Sequence, residues 1–117
     1  MIDQTPEDII PENIARQYIY LHNLGVETED FSAMLGLFAG DAQMIFKNIS
    51  TGPFYGRDSI REAFAVNPPQ DKLRIFRIER LDEDIEVEYG WQINPDEKMG
   101  SIIFTFSDSL IKSITII

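Results

Sequence analysis

The 117-residue sequence contains no cysteine and only one histidine, His22. The absence of cysteine excludes disulfide frameworks, thiolate zinc sites and cysteine nucleophiles. With one histidine, only carboxylates remain to complete a metal shell, so we expect no metal, and nothing points to an organic cofactor. Basic residues are also scarce. The sequence has ten Lys and Arg against twenty Asp and Glu, so its net charge is −10. A field of that sign repels phosphate backbones and argues against a nucleic-acid partner.

Long apolar runs are missing too. No run approaches the roughly 20 residues that a membrane helix needs, so no membrane partner is expected. The N-terminal stretch MIDQTPEDIIPEN is acidic and lacks the basic and apolar regions of a signal peptide, which favours a cytoplasmic protein. The hydrophobic share of 44%, with eight Phe, four Tyr and one Trp, suffices for one core. We therefore expect residues 1–117 to form a single domain.

Apolar side chains at helical spacing predict two helices in the first 40 residues. The first covers residues 12–24, and Gly25 is its expected stop. The second covers residues 29–39, after which Gly40 is expected to supply a left-handed turn. Asp41 is interpreted as a turn residue that bonds nearby backbone amides.

A third helix and a series of strands complete the predicted fold. The helix starts at Gly56 or Asp58 and ends at the NPPQ stretch, because proline has no amide to donate. The strands are expected over residues 42–47, 72–81, 85–93, 101–107 and 110–117. In the third of these, five residues share one face: Ile85, Val87, Tyr89, Trp91 and Ile93. Short turns between the last four strands predict an antiparallel meander, and the whole pattern predicts an α+β domain.

Two local strings resemble a known superfamily. They are LFAGDA at residues 37–42 and YGRDSIREAF at residues 55–64. Together with the order of elements, they are similar to the nuclear transport factor 2-like superfamily, in particular its SnoaL-like and ketosteroid isomerase-like branches. The resemblance implies a cystatin-like conical half-barrel, in which N-terminal helices pack on a curved antiparallel sheet over an apolar cavity. It also implies a homodimer.

The catalytic carboxylates of the ketosteroid isomerase-like branch are not found at the matching positions. In that branch a carboxylate late in the first strand moves a proton, while a tyrosine and a second acid hold the oxyanion. The first position falls on Phe46 and the second near Ile102, so only the tyrosine is retained, as Tyr18. The resemblance therefore does not imply steroid-isomerase chemistry by that route, and it leaves open whether the protein is an enzyme.

Tyr18 and His22 lie one helical turn apart and could face the same cavity. In one interpretation His22 moves a proton while Tyr18 donates a hydrogen bond to the ligand. In the other, His22 is a partly solvated rim residue and Tyr18 belongs to the core. Six further residues are candidates for the pocket wall: Phe46, Tyr55, Tyr89, Trp91, Ile102 and Phe104.

Two functions remain open from the sequence. The first is binding of a small, mostly apolar organic molecule in a cone-shaped pocket, either alone or together with cofactor-independent proton transfer of the isomerase, cyclase or dehydratase type. The second is a non-catalytic dimeric binding or interaction module whose cavity is filled by its own side chains. The presence or absence of space beside Tyr18 and His22 discriminates between them.

Overall fold

The structure, a computed structural model, describes residues 10–117. Most of the acidic N-terminal stretch, on which the expectation of no signal peptide rests, lies outside this range. The elements in chain order are α1 (Pro11–Thr28), α2 (Ser32–Leu35), β1 (Phe38–Phe46), β2 (Phe54–Tyr55), α3 (Arg57–Val66), β3 (Leu73–Leu81), β4 (Asp84–Trp91), β5 (Lys98–Ser107) and β6 (Leu110–Ile116). No helix within the described range is both long and apolar enough to cross a membrane.

The six strands form one sheet in the order β2-β1-β6-β5-β4-β3. The predicted meander of β3 to β6 is confirmed, since each of these strands pairs antiparallel with the next. The sheet is nevertheless mixed, because β1 runs parallel to β6. Alternation of apolar residues determines which face of a strand is buried, but it does not identify the neighbouring strand.

The helices cover one face of this sheet. Alternate residues of the central strands are buried there, including Val87 on β4, Phe104 on β5 and Ile114 on β6. α1 packs against β3 and β4, and α3 packs against β1 and β2. Residues between the buried positions, such as Glu86 and Ile103, are half-buried on the other face. We call these the inner and outer faces of the sheet.

The prediction that Gly25 stops the first helix is wrong. α1 continues to Thr28, and Glu29 ends it with a left-handed backbone (φ 62°) and an N–H that donates to the Gly25 carbonyl at 2.7 Å. Gly25 instead allows close packing, because a Cβ built on it would lie no more than 2.9 Å from three atoms of the Phe31 ring. The missing side chain lets Phe31 pack directly on the helix.

The predicted second helix is much shorter than expected. Only Ser32–Leu35 is helical, and β1 already starts at Phe38. Gly40 and Asp41 therefore lie in a strand rather than a turn, which makes both predictions wrong. Tertiary contacts outweigh the helical spacing of the apolar residues here. β1 pairs with β6, and Arg57 Nη1 donates a hydrogen bond to the Phe38 carbonyl at 3.3 Å.

The apolar face predicted for β4 loses its last member, because the strand ends two residues earlier than predicted. Ile85, Val87 and Tyr89 are buried and Trp91 is half-buried, as the alternation predicts. Ile93 does not belong to that face, since β4 ends at Trp91 and the Ile93 side chain is 76% exposed. The following turn therefore starts earlier than its Asn and Pro residues indicate.

Candidate functional site

An open cavity of about 810 Å³ lies between the inner face of the sheet and α3. A volume of this order is typical of sites for small organic ligands. Six of the residues predicted from the sequence line it: Tyr18, His22, Phe46, Tyr89, Trp91 and Ile102. These residues come from α1 and from strands β1, β4 and β5, so the topology brings together side chains that are far apart in the chain.

Two of the predicted wall residues lie elsewhere. Tyr55 is on β2, where its side chain is 62% exposed and is not part of the cavity wall. Phe104 is fully buried on β5 and packs edge-on against the Tyr18 ring, with the ring centroids 5.3 Å apart. Phe104 therefore supports the wall from behind rather than facing the cavity.

Tyr18 is held by aromatic rings on two sides. Its ring packs edge-on against Phe38 at a centroid distance of 6.0 Å as well as against Phe104. Only 3% of the side chain is exposed, and burial raises the pKa of the Tyr18 hydroxyl well above its usual value. The hydroxyl therefore stays protonated at neutral pH and can donate a hydrogen bond.

His22 lies beside Tyr18, with the ring centroids 6.3 Å apart. Its ring also packs edge-on against Phe31 at 6.1 Å, and only 4% of the residue is exposed. Burial lowers the pKa of His22 below its usual value, although the hydrogen bond to Asn23 opposes this effect. The imidazole is therefore neutral at pH 7.

Asn23 determines which nitrogen of His22 carries the proton. The Asn23 side chain donates from Nδ2 to the Leu73 carbonyl at 2.9 Å and accepts at Oδ1 from the Leu73 N–H at 2.8 Å. These two bonds fix the orientation of the amide. His22 Nδ1 lies 3.0 Å from the same Oδ1, which can only accept, so Nδ1 is protonated and Nε2 keeps its lone pair.

The Tyr18 hydroxyl and His22 Nε2 make no hydrogen bond within residues 10–117. In the same range, no fully buried side-chain nitrogen or oxygen lacks a partner. Tyr18 and His22 both line the cavity, which places these two polar groups next to its space. Tyr18 supplies a hydrogen-bond donor and His22 an acceptor, beside five further polar lining residues: Asn48, Thr51, Ser59, Glu62 and Asn67.

Among the residues of the site that the sequence reasoning missed, two carry polar groups that matter for its chemistry, Asn23 and Glu62. Asn23 is an unfavourable residue inside a helix, and this was the signal that its side chain has a tertiary role. Glu62 lines the cavity from α3 together with Ser59, Ala63 and Val66. Their spacing of three, four and seven residues places them on one helical stripe, which a search for apolar residues alone overlooks.

The charged residues of the described range do not form a metal site. No group of three or more His, Asp or Glu side chains within residues 10–117 is arranged to hold a metal ion.

Comparison with known proteins identifies the architecture through solved structures. No protein-family model matches the sequence, and no curated protein is significantly similar to it. An NTF2-like protein of unknown function from Burkholderia xenovorans superposes with a TM-score of 0.68 at 18% identity, covering 91% of this chain and 83% of its own. The chain adopts the nuclear transport factor 2-like fold. Other solved structures similar to it include one described as having a cystatin-like fold.

Proteins from both branches suggested by the sequence are among the similar structures. A putative ketosteroid isomerase from Kribbella flavida has a TM-score of 0.65 at 18% identity, covering 89% of this chain and 73% of its own. A putative polyketide cyclase from Sinorhizobium meliloti has a TM-score of 0.64 at 14% identity, covering 97% of this chain and 100% of its own. The resemblance stated from the two sequence strings is thereby confirmed at the level of the fold. The α+β half-barrel prediction is confirmed with it.

Proposed function

We propose that this NTF2-like chain binds a small, mostly apolar organic molecule in the cavity between α3 and the inner face of the sheet. The observation that carries the proposal is the pair formed by the Tyr18 hydroxyl and His22 Nε2 in an otherwise largely apolar wall. Ligand pockets typically combine apolar walls with a few polar groups that orient the ligand. A ligand with one hydroxyl or carbonyl group would fit this arrangement.

The alternative of a filled cavity does not suit the geometry. Phe46 and Ile102 occupy the positions of the absent carboxylates, and both line the wall while leaving about 810 Å³ open. A filled core would bury the Tyr18 hydroxyl and His22 Nε2 against protein partners, because unpaired buried polar groups are costly. The position of this pair on the wall of an open cavity therefore supports binding of a ligand.

Proton transfer is a second candidate function, and His22 favours it. Neutral His22 has a free lone pair on Nε2, and the Tyr18 hydroxyl can stabilise a developing oxyanion. Such a site would suit cofactor-independent isomerisation, cyclisation or dehydration. Solved structures of the same fold include the putative ketosteroid isomerase and the putative polyketide cyclase.

The binding proposal can be tested with Trp91, which lines the cavity and is the only tryptophan in the sequence. Its fluorescence should change when tert-butylbenzene or 4-tert-butylphenol is titrated into the protein. The phenol should bind more tightly than the hydrocarbon, since it can bond to His22 Nε2. This preference should fall by about 2- to 10-fold in His22→Gln and Tyr18→Phe, which corresponds to one hydrogen bond.

Tyr20→Phe is the matched control, because Tyr20 is on the same helix but its side chain is 66% exposed to solvent. It should leave both affinities unchanged. If neither probe alters Trp91 fluorescence, the proposed cavity does not bind ligands of this class. If both probes bind and the preference survives both substitutions, the polar pair is not the orienting group.

The proposal includes a homodimer, which the resemblance implies. Within residues 10–117 the helices pack on the inner face, and on the outer face Ile103 and Ile45 lie half-buried on either side of Thr115, with which both pair. Native mass spectrometry should record twice the chain mass of 13.4 kDa. Ile103→Lys should shift the protein to the monomer, whereas a monomeric unmodified protein would contradict this part of the proposal.

A further inference from the structure

The charge of the cavity wall is of one sign. Among residues 10–117, no lysine or arginine lines the cavity, although the sequence contains ten of these residues. In the part of the wall that the structure describes, Glu62 has the one charged side chain, and because it is exposed it lies at the mouth. Within residues 10–117 the Glu62 carboxylate takes part in no ion pair. It is therefore free to interact with a ligand.

The two arginines of α3 face a neighbouring opening. Arg57 and Arg61 on α3 line a second opening together with Asp30, and this opening shares Phe64, Pro68 and Pro69 with the cavity. Arg61 also pairs with Asp58 at 2.7 Å, and Arg57 donates to the Phe38 carbonyl. α3 thus directs its arginines away from the cavity and Glu62 towards it.

Aromatic rings make up much of the remaining wall. They are Tyr18, Phe46, Phe54, Phe64, Tyr89 and Trp91. The faces of aromatic rings carry negative electrostatic potential, which attracts organic cations that lie against them. Aromatic walls, a carboxylate at the mouth and a net chain charge of −10 all favour a positively charged ligand.

We infer that the cavity selects organic cations that have an apolar body, such as aryl or alkyl ammonium compounds, and that Glu62 determines this selectivity. The inference rests on the proposed binding function and narrows its ligand class. The apolar body would occupy the inner part of the cavity, and the ammonium group would lie towards Glu62. Anionic ligands of the same shape would be repelled.

Three probes of nearly equal shape test this inference. They are phenyltrimethylammonium, neutral tert-butylbenzene and anionic 2-methyl-2-phenylpropanoate, each titrated while Trp91 fluorescence is recorded. We expect the cation to bind at least about tenfold more tightly than the anion. Glu62→Gln should weaken binding of the cation by about 2- to 5-fold and leave the affinity for tert-butylbenzene unchanged. Raising the salt concentration should reduce the effect, because Glu62 is exposed.

Glu83→Gln is the matched control, since it removes the same charge in the exposed turn between β3 and β4. It should alter none of the three affinities. If tert-butylbenzene binds but the anion binds as well as the cation, or Glu62→Gln has no effect on the cation, the inference is overturned and the binding function stands. If no probe changes the fluorescence, the binding function fails and the inference fails with it.

Discussion

Gly25→Ala tests whether the close packing of Phe31 on Gly25 outweighs the gain in helix propensity that alanine normally gives. Gly25 lies inside α1, where alanine is normally favoured by about 1 kcal/mol because it loses less backbone entropy and has higher helix propensity. At this position, however, a Cβ would come no more than 2.9 Å from three atoms of the Phe31 ring. The Phe31 ring would have to move away from α1 to accommodate it.

The space around Phe31 is already occupied. Its ring packs against Phe64 at a centroid distance of 5.1 Å and against His22 at 6.1 Å. Overpacking of this kind costs about 1–3 kcal/mol, which equals or exceeds the gain in helix propensity. We therefore expect Gly25→Ala to lower the free energy of unfolding by about 0–2 kcal/mol. Because Phe64 and His22 both line the cavity, ligand binding should weaken as well.

Urea denaturation of four proteins measures the effect: the unmodified chain, Gly25→Ala, Phe31→Ala and the double variant. Phe31→Ala alone should cost about 3–5 kcal/mol, since it removes a buried aromatic ring. In that background Gly25→Ala should become stabilising by about 0.5–1 kcal/mol, because the clash is gone. Gly40→Ala is the matched control, as a Cβ there meets nothing within 4 Å. If Gly25→Ala stabilises the unmodified chain as much as the Phe31→Ala background, the packing argument is refuted.

Two further predictions concern the neighbouring polar residues Asn23 and His22. Asn23→Ala should lower the free energy of unfolding by about 1–3 kcal/mol in urea denaturation, since it leaves the Leu73 N–H and carbonyl without their partners, whereas Asn13→Ala at an exposed position of α1 should be neutral. The stability contributed by neutral His22 should be lost on acidification. Its pKa is lowered from 6.5, so between the two values the unfolded chain binds more protons and the free energy of unfolding rises with pH, by at most about 1.4 kcal/mol per pH unit. His22→Gln should remove this slope just below pH 6.5, and a slope that survives the substitution would assign it to other groups. The pKa of Asp30 is lowered from 3.8 by its hydrogen bonds to Ser32, so Asp30 contributes to the pH dependence of stability below pH 3.8, in a range separate from that of His22.

The sequence predicts the fold well where the local spacing of apolar residues and the turns between elements determine the structure. The meander of β3 to β6 follows from alternation and short turns, and α1 follows from its apolar stripe. The errors occur where tertiary contacts outweigh local preference. Gly25 is a typical helix stop, but its lack of a side chain serves the packing of Phe31 instead. Likewise, Phe38 has helical spacing but is drawn into β1 by its pairing with β6.

The candidate site is predictable in its apolar wall and less so in its polar groups. Parity along β4 places Tyr89 and Trp91 on the inner face, and one helical turn places Tyr18 beside His22. Asn23 is adjacent to His22 in the sequence, yet its role depends on Leu73, which is 50 residues away. No periodicity reveals such a contact, because it depends on how α1 is positioned over β3.

The protonation states of Tyr18 and His22 determine what the cavity can do at neutral pH. Burial raises the pKa of Tyr18 and lowers that of His22, so both side chains are neutral. A lowered pKa weakens His22 as a base, which suits it to accept a hydrogen bond more than to abstract a proton from carbon. We therefore expect proton transfer to be slow and to require neutral His22.

Hydrogen–deuterium exchange next to the carbonyl of 4-tert-butylcyclohexanone tests this by NMR in D₂O. Exchange catalysed by the protein should fall as the pH drops through the lowered pKa of His22, because protonation removes the lone pair on Nε2. His22→Gln should abolish the catalysed exchange, and Tyr20→Phe should preserve it. Exchange that continues unchanged in His22→Gln would place the base elsewhere. Exchange at the buffer rate at every pH, with the ketone bound, would restrict the cavity to binding, since a neutral imidazole beside the ligand would then lack the basicity that proton abstraction requires.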